Sequence, residues 1–425
     1  MERISPKRTE EPVRVLSAED LLYTESVSTS PQPPLKELLV EGLLSFGEST
    51  RFLFGQLNLL VGPNGSGKSN LIDCLRVLRL SPLDIQEAFR DSGFQDWLYR
   101  RVSTPTGGSA FIEVTARVPG LSTLLRHQLR LGPDINSRAR LEEVVREASD
   151  EGKESELYFA GSYRAGAVAS LSGRGKRRRE RTLDTSEYDP FRSILSQIRD
   201  LGQYPEITRL ANLYSAFRIY SEWTFGRNSK LRESTPTGRS DTKVSESMDD
   251  LALALNGLEE TTAHEKIRTL LRELKETYRD YVTRIIFGRV GLELVEAPYT
   301  SLPLPATRLS DGTLRFLALA AILLQPDPPP LICLEEPELG MHPDMIRMVA
   351  GMIAEASEKT QLIVSTHSEH LLSALQDDFD VLFAFDAGTA GSIVRSFSRE
   401  EYREWREDHS LGELWTSGEL GGNRW

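Results

Sequence analysis

Gly62-Pro63-Asn64-Gly65-Ser66-Gly67-Lys68-Ser69 is the segment that decides the fold of this 425-residue chain. It follows Leu57-Asn58-Leu59-Leu60-Val61, which predicts a buried strand, and it precedes apolar positions at helical spacing from Asn70 to Leu78. Strand, glycine-rich loop and helix form the context in which the pattern GxxxxGKS cradles phosphates. Backbone N–H groups of such a loop point inwards, and the positive end of the helix adds to them. We therefore predict a P-loop, with residues 62–70 binding ATP.

Acidic residues at the end of a second apolar run complete the predicted chemistry. Leu331-Ile332-Cys333-Leu334 is followed directly by two glutamates, which a buried strand would deliver at its carboxyl end. Lys68 is predicted to contact the β- and γ-phosphates, and Ser69 and Glu335 to hold Mg²⁺. Glu336 is then placed to act as the general base that polarises the attacking water.

Two further motifs point to the γ-phosphate. The apolar run Leu362-Ile363-Val364-Ser365 is followed by His367, which we predict to reach the γ-phosphate from a neighbouring parallel strand. Upstream, Ser310, Asp311 and Gly312 open a helix that runs to Leu324 and offer a second anion site at its N-terminus. One nucleotide does not need two such sites within one chain. The second makes sense if it covers a γ-phosphate that another subunit holds.

Together these motifs resemble the ABC-type ATPases of the SMC, RecF and OLD group, and most closely its stand-alone bacterial AAA family ATPases. The similarity extends from about Leu35 to the segment Gly412-Glu413-Leu414-Trp415. It implies an α/β P-loop NTPase fold, an ABC-type head with a mixed or parallel sheet, an antiparallel β lobe and a helical insertion.

The resemblance also implies how the motifs are used. A head-to-tail homodimer, or a higher homo-oligomer, would sandwich two ATP molecules with Mg²⁺ between Gly62–Ser69 of one subunit and Ser310–Gly312 of the other. His367 would be the switch histidine, and Leu339-Gly340-Met341-His342 would be the D-loop. Relatives often act in DNA maintenance or antiviral defence beside a separately encoded effector, a nuclease or a toxin. We therefore expect such a role and such a partner.

Three features depart from the pattern of the group. Glu335 stands where many relatives have aspartate, so its side chain is one methylene longer. Leu44 stands where many relatives place a basic residue near the α-phosphate. Gln95 and Gln197 are both poor candidates for the Q-loop glutamine, which the sequence does not locate.

Composition shifts along the chain predict four segments. The middle of the chain, from Phe191 to Tyr220 and from Leu251 to Val282, reads as mainly helical. The predicted segments are a flexible tail (1–33), an N-terminal ATPase lobe with the P-loop and antiparallel strands (34–185), a helical insertion with a polar, mobile loop at 225–250 (186–290), and a C-terminal ATPase lobe (291–425).

The charge balance argues against a protein that coats DNA unspecifically, because 63 acidic residues outnumber 51 basic ones and the net charge is −12. One dense basic run stands out against this background. It is open to two interpretations, a charged surface turn or a contact for nucleic acid phosphates. Its basic residues are Arg174, Lys176, Arg177, Arg178, Arg179 and Arg181.

Cysteine content and hydropathy predict a cytoplasmic protein with no membrane contact. The two cysteines, Cys74 and Cys333, form neither a disulfide framework nor a metal motif. The N-terminus lacks the apolar region of a signal peptide, and the longest apolar run, Phe316–Leu324, is too short to span a bilayer.

Other functions share these motifs. A lone P-loop would also suit a kinase, a GTPase or a helicase. The energy subunit of a transporter carries all four motifs, but here the long separation of Lys68 from Leu309 and the Ser-Asp-Gly-Thr signature favour the SMC group. An ATP-loaded scaffold that holds an effector and hydrolyses little stays open. The 58 residues after His367 (425 − 367) are too few for the nuclease domain of OLD proteins, so we expect any cleavage to need a partner.

Overall fold

The structure is a computed structural model that describes residues 32–100, 108–148, 156–162, 166–171, 179–184, 187–237, 243–298, 301–389, 391–405 and 409–420. The strands in this part of the chain are β1 (Leu35–Glu41), β2 (Thr50–Leu53), β3 (Leu57–Val61), β4 (Ala110–Arg117), β5 (Leu124–Pro133), β6 (Ala139–Glu147), β7 (Leu157–Ser162), β8 (Gly166–Leu171), β9 (Arg179–Leu183), β10 (Arg218–Tyr220), β11 (Thr235–Pro236), β12 (Tyr278–Ile286), β13 (Arg289–Glu296), β14 (Leu304–Pro305), β15 (Leu331–Glu335), β16 (Gln361–Ser365), β17 (Val381–Gly388) and β18 (Gly391–Ser398). The helices are α1 (Lys68–Leu80), α2 (Phe94–Trp97), α3 (Ile194–Gln197), α4 (Pro205–Ser215), α5 (Leu251–Leu258), α6 (Thr262–Leu274), α7 (Asp311–Leu323), α8 (Pro343–Ser357), α9 (Glu369–Leu375), α10 (Arg399–Trp405) and α11 (Leu411–Ser417). Short 3₁₀ helices cover Ile85–Phe89, Lys230–Arg232 and Ala306–Arg308.

A six-stranded sheet in the order β10-β15-β16-β3-β17-β18 contains the strands that precede the motifs predicted from the sequence. The first five strands are parallel and β18 runs antiparallel to β17. The prediction of a mixed, mainly parallel sheet is therefore confirmed. Parallel strands are buried on both faces, which explains why β3 and β16 are buried along their whole length.

The two faces of this sheet pack against two different hydrophobic cores. In β15, Ile332 and Leu334 enter one hydrophobic cluster, while Leu331 and Cys333 enter the other. Successive side chains of a strand point to opposite faces, so one continuous apolar run serves both. The first cluster includes residues of α7, α8 and α9, and the second includes residues of α1, α4 and a second sheet.

The second sheet is antiparallel, with the order β2-β1-β4-β5-β6-β7-β8-β9. It confirms the predicted antiparallel strands: the alternation read from Phe111 onwards becomes β4, in which Ile112 and Val114 are buried while Phe111 and Glu113 are half-buried. Strand β1 starts at Leu35 and lies between β2 and β4.

The prediction of a helical middle segment is partly wrong. Tyr278 and Tyr281 were assigned to a helix that continues to Val282, but α6 ends at Leu274 and both tyrosines lie in β12, which pairs with β13. Position 290, the expected end of the segment, lies within β13. Tyr278 and Tyr281 lie three residues apart, a spacing that also occurs on one face of a helix. Periodicity alone therefore does not distinguish a helix from a strand at these positions.

The stretch from Phe191 to Tyr220 also contains less helix than predicted. Within it lie α3 and α4, and the last three residues form β10, which pairs in parallel with β15. This segment thus contributes a strand to the sheet of the P-loop.

The polar segment 225–250 is anchored where the structure describes it, at 225–237 and 243–250. Leu231, Val244 and Met248 are buried in the first hydrophobic cluster, and Thr235 is buried in the short strand β11. Scattered apolar side chains thus pack these residues against the core, and the mobility expected of the loop stays a prediction.

Some expectations fall outside the described residues. These are the tail up to residue 31 and the basic residues Arg174, Lys176, Arg177 and Arg178. Among the described residues, no helix combines the length and the apolar character that crossing a membrane requires.

Candidate nucleotide-binding site

The predicted site residues follow the carboxyl ends of three adjacent parallel strands. β3 leads into the glycine-rich loop, β15 ends at Glu335, and β16 ends at Ser365, just before His367. This edge of an open parallel sheet is where ligands bind in α/β folds. An open cavity there, of about 100 Å³, is lined by the loop together with Lys68, Glu336 and His367.

The glycine-rich loop has a backbone that only glycine tolerates at its end. Gly67 has φ of 110°, and a Cβ added there would lie 2.1 Å from Oγ of Ser392 and 2.7 Å from Oγ of Ser45. Both the left-handed conformation and the close approach therefore require glycine. Helix α1 begins at the next residue, so its first N–H groups face the cavity.

Three hydroxyl and amide side chains brace this loop from behind. Ser392 Oγ donates to the carbonyl of Ser66 at 2.6 Å and contacts Ser45 Oγ at 2.6 Å. Asn70 Nδ2 donates to the same Ser45 Oγ at 2.7 Å. Asn70, predicted to bind the nucleotide, thus holds the loop in shape, and Ser45 and Ser392 are positioning residues that the sequence did not reveal.

Lys68 folds back over the loop that precedes it. Its Nζ donates to the carbonyl oxygens of Gly62 at 2.6 Å and Pro63 at 3.1 Å, and the residue is 6% exposed. Burial lowers the pKa of its ammonium group to about 8, against the opposing effect of the nearby Glu336 and Glu335 carboxylates. A buried cation held by two neutral carbonyls is well placed to bind phosphate oxygens.

The two predicted Mg²⁺ ligands are in contact. Ser69 Oγ donates a short hydrogen bond to Oε1 of Glu335, across 266 residues of sequence. One hydroxyl, one carboxylate and the phosphate oxygens of the substrate are the hard oxygen donors that Mg²⁺ takes in P-loop proteins. The residues present therefore fit Mg²⁺.

A further acid lies close to this pair. The pKa of Asp73 is raised to about 6, first by burial and then by the negative charges of Glu335 and Glu222, while Arg76 opposes the shift. Asp73 was not singled out in the sequence because it lies inside a helix, in α1, without a motif of its own.

Glu336 and His367 face each other in the cavity. His367 Nε2 lies 3.2 Å from Glu336 Oε1, without the alignment of a hydrogen bond. Glu336 has φ of +45°, a conformation rare for residues other than glycine, and its N–H donates to the carbonyl of Ser365 at 3.0 Å. Such strained positions cluster at functional sites.

Glu338 positions the histidine. Its Oε1 accepts hydrogen bonds from the Thr366 hydroxyl and, at 3.2 Å, from the His367 N–H. Burial raises the pKa of this carboxyl above its usual range. Burial, and next the charge of Lys68, lower the pKa of His367, so its imidazole is neutral at pH 7.

The segment after β10 reaches the same site from the side. Arg76 Nη2 donates to Ser221 Oγ at 2.6 Å, and Trp223 Nε1 donates to the main-chain carbonyl of Glu335 at 2.6 Å. This segment follows β10, the strand that pairs with β15. Gln95 and Gln197 do not line the cavity of the P-loop.

The signature residues are well ordered at the start of α7. Ser310 caps the helix, accepting a hydrogen bond from the Thr313 N–H at 3.1 Å. The Asp311 carboxylate accepts from Arg232 and, at 3.1 Å, from the N–H of Gly226, and Arg232 holds the pKa of Asp311 below its usual range. Asp311 thus has a partner within its own chain.

The structure brings together most of the predicted site, with one exception. The P-loop, Glu335, Glu336 and His367 form one constellation. Ser310, by contrast, borders another open cavity of about 580 Å³, to which neither the P-loop nor Glu336 contributes.

The structure describes the C-terminal end of the basic run, and this end forms a strand. Arg179 and Arg181 lie in β9, and Arg181 forms an ion pair with Glu187. Neither of the two interpretations given above is decided by this contact.

Comparison with known proteins agrees with this geometry. The chain is similar in fold to an SMC head bound to the C-terminal winged-helix domain of ScpA, with 16% identity and a TM-score of 0.57 over 87% of this chain and 100% of that one. It is also similar to the Smc head domain with an extended coiled coil of Pyrococcus furiosus, bound to the C-terminal domain of ScpA, with 13% identity and a TM-score of 0.54 over 88% of this chain and 98% of that one. No curated protein matches the chain.

A family model matches residues 57–212 and 240–373, which is well over half of the chain and includes every motif discussed above. Its description reads "AAA domain, putative AbiEii toxin, Type IV TA system". The chain therefore belongs to this AAA_21 family, and its fold is similar to that of SMC heads.

Proposed function

We propose that this chain hydrolyses ATP, with Mg²⁺, at composite sites formed between two copies in a homodimer or a higher homo-oligomer. The observation that carries the proposal is the separation of Ser310 from Lys68 into two cavities. A helix N-terminus with a capping serine suits phosphate, yet within one chain it does not reach the phosphate cradle. A second copy in head-to-tail arrangement would bring the Ser310 helix N-terminus of one chain to the P-loop of the other.

The residues around the P-loop divide the chemistry among them. Lys68 neutralises negative charge on the β- and γ-phosphates, and Ser69 and Glu335 would hold Mg²⁺, which supplies further positive charge. Glu336 accepts the proton of the water that attacks the γ-phosphorus. His367, held by Glu338 and neutral at pH 7, offers a hydrogen bond to the γ-phosphate or to that water.

ATP would gate the assembly. A γ-phosphate that contacts Lys68 of one copy and Ser310 of the other favours the closed dimer by mass action, because it binds that state better than the separate chains. Hydrolysis removes this bias and the dimer opens.

A defence process with a separately encoded effector fits the family best. The family description names a toxin and a Type IV TA system, and both SMC head relatives are recorded with a bound partner domain. These similarities support a role in which ATP-dependent closure controls a nuclease or a toxin, with nucleic acid as a candidate signal.

Measuring ATP turnover and mass in solution tests the proposal. The wild-type chain should form an ATP-dependent dimer or higher oligomer and release phosphate, and duplex DNA is added in a parallel series. Negligible turnover in every condition, with an effector still bound, would favour the ATP-loaded scaffold. A chain that binds ATP yet stays monomeric at every concentration would overturn the composite site.

A further inference from the structure

The cavity beside the signature serine is basic, although the chain as a whole carries a net charge of −12. Three arginines, Arg227, Arg232 and Arg308, line it together with a single carboxylate, that of Asp311. The cavity of the P-loop, by contrast, is lined by one cation, Lys68, and by Glu336. A local positive potential on an acidic protein suits an anionic ligand.

One of the three arginines has a structural task. The side chain of Arg232 is 7% exposed and donates to the carbonyl oxygens of Gly226 at 2.8 Å, Ala306 at 2.8 Å and Leu309 at 2.7 Å. It also pairs with the Asp311 carboxylate. Arg232 therefore ties the segment around Gly226 to the start of the signature, and four of its five N–H donors are occupied.

The other two arginines have no such task. Arg227 and Arg308 are exposed, and neither forms an ion pair or a side-chain hydrogen bond with any described residue. Arg308 ends a 3₁₀ turn two residues before Ser310, and Arg227 follows Gly226, whose N–H is fixed to Asp311. Two guanidinium groups are thus held on well-anchored backbone around the capping serine.

We propose that Arg227 and Arg308 bind the polyphosphate of the ATP held by the P-loop of a second copy of this chain. The inference rests on the composite site proposed above and names residues that this site requires. Guanidinium groups match phosphate oxygens in geometry and stay charged at every relevant pH. The P-loop cavity is lined by one cation, Lys68, and the two guanidinium groups of the second copy would add positive charge to it.

Dimerisation of the Glu336→Gln chain, in which ATP persists, provides the first test. Arg308→Ala and Arg227→Ala should each raise the ATP concentration for half-maximal dimerisation at least tenfold, an effect of about 1.4 kcal/mol. Binding of a fluorescent ATP analogue to the dilute, monomeric chain should change less than twofold. Arg272→Ala, an exposed arginine of α6 that lines neither cavity, is the matched control.

Three outcomes would overturn the assignment. Dimerisation that is unchanged in both arginine variants excludes a trans contact. If the monomer binds the ATP analogue more weakly by the same factor by which dimerisation is weakened, the arginines act within their own chain. Unchanged dimerisation with weaker binding of a labelled DNA duplex assigns the two arginines to nucleic acid.

Mixing experiments separate this inference from the dimer itself. At an ATP concentration that dimerises the wild-type chain but lies below the raised midpoint of Arg308→Ala, the Arg308→Ala and Lys68→Ala chains should each turn over little ATP alone. A mixed dimer has one intact site, because the Lys68→Ala chain supplies Arg308 to the other chain's P-loop. Turnover should therefore return on mixing. Ser310→Arg mixed with Lys68→Ala gives the reference: if only this pair regains turnover, the dimer stands and the arginine assignment falls, and if neither pair does, the composite site falls with it.

Discussion

His367 Nε2 lies 3.2 Å from Glu336 Oε1, and the two side chains are 32% and 33% exposed. The two side chains are partly exposed, but the Nε2 atom of His367 is itself buried and forms no hydrogen bond with a described residue. A carboxylate and a neutral imidazole at this distance can share one water, with the carboxylate as proton acceptor.

Glu336→Gln should lower the turnover of ATP at least a hundredfold, because the amide cannot accept the proton of the attacking water. ATP binding should persist, since the residue does not carry the phosphate charge. Phosphate release and equilibrium binding, measured on the same preparation, check both statements. Asp344→Asn, an exposed acid of α8, serves as the control. Full turnover in Glu336→Gln would remove Glu336 from the role of general base.

ATP affinity should fall with rising pH, because the pKa of Lys68 is lowered to about 8. The ammonium group is charged below this pKa and neutral above it. Between pH 7 and pH 9 the charged fraction drops roughly tenfold, and the dissociation constant for ATP should rise by about the same factor. Calorimetric titration at several pH values measures the change.

Lys68→Ala provides the matching variant for this prediction. It should abolish tight ATP binding at every pH. Retained tight binding in Lys68→Ala would contradict the P-loop assignment, and an affinity that stays flat up to pH 9 in the wild type would contradict the lowered pKa.

Ser310→Arg should block hydrolysis while leaving the binding of ATP to the monomer intact. Ser310 borders a cavity separate from the P-loop, so a bulky side chain there clashes with nothing in its own nucleotide site. The clash falls on the nucleotide of the second copy. Nucleotide binding at low protein concentration, compared with turnover at high concentration, separates the two effects, and unchanged turnover would speak against the sandwich.

The parts of the site that the sequence predicted are those in which strand and chemistry are adjacent in the chain. The P-loop, Glu335 and His367 each follow a buried apolar run, and parallel strands bring such ends to one edge of the sheet. The parts that it missed depend on long-range contacts. Trp223 meets Glu335 across 112 residues, which no local pattern encodes.

The same distinction explains the errors in the fold. β10 has three residues, too few for a period to emerge, and it is a strand because β15 pairs with it. The two tyrosines of β12 fit a helical spacing as well as a strand, and pairing with β13 decides between them. Tertiary partners therefore override local preference at these positions.

Trp223→Phe should weaken the use of Mg²⁺ without unfolding the chain. Phenylalanine retains an aromatic ring beside Phe225 and Arg315 but cannot donate to the carbonyl of Glu335. Loss of one hydrogen bond corresponds to about 1 kcal/mol, so the Mg²⁺ concentration for half-maximal turnover should rise several-fold. Trp97→Phe, in α2, is the control. An unchanged Mg²⁺ dependence would leave Trp223 as a packing residue only.

A buried polar cluster in the antiparallel sheet should contribute to stability and not to catalysis. The Glu143 carboxylate, fully buried, accepts from Ser193 Oγ at 2.7 Å and from the N–H of Ile194 at 2.8 Å. His127 Nε2 lies 2.8 Å from the same carboxylate. The carboxylate therefore holds α3 against strands β5 and β6.

Glu143→Ala should lower the free energy of unfolding by roughly 3–5 kcal/mol, because it leaves these buried donors without an acceptor. Glu143→Gln keeps the volume and one acceptor oxygen, so its loss should be smaller. Glu276→Ala, at an exposed position, should have little effect. Urea unfolding followed by circular dichroism gives the comparison, and ATP affinity measured below the transition should be the same in all three variants. A large loss of ATP affinity with unchanged stability would mean that this cluster communicates with the nucleotide site, contrary to the structural role argued from its burial.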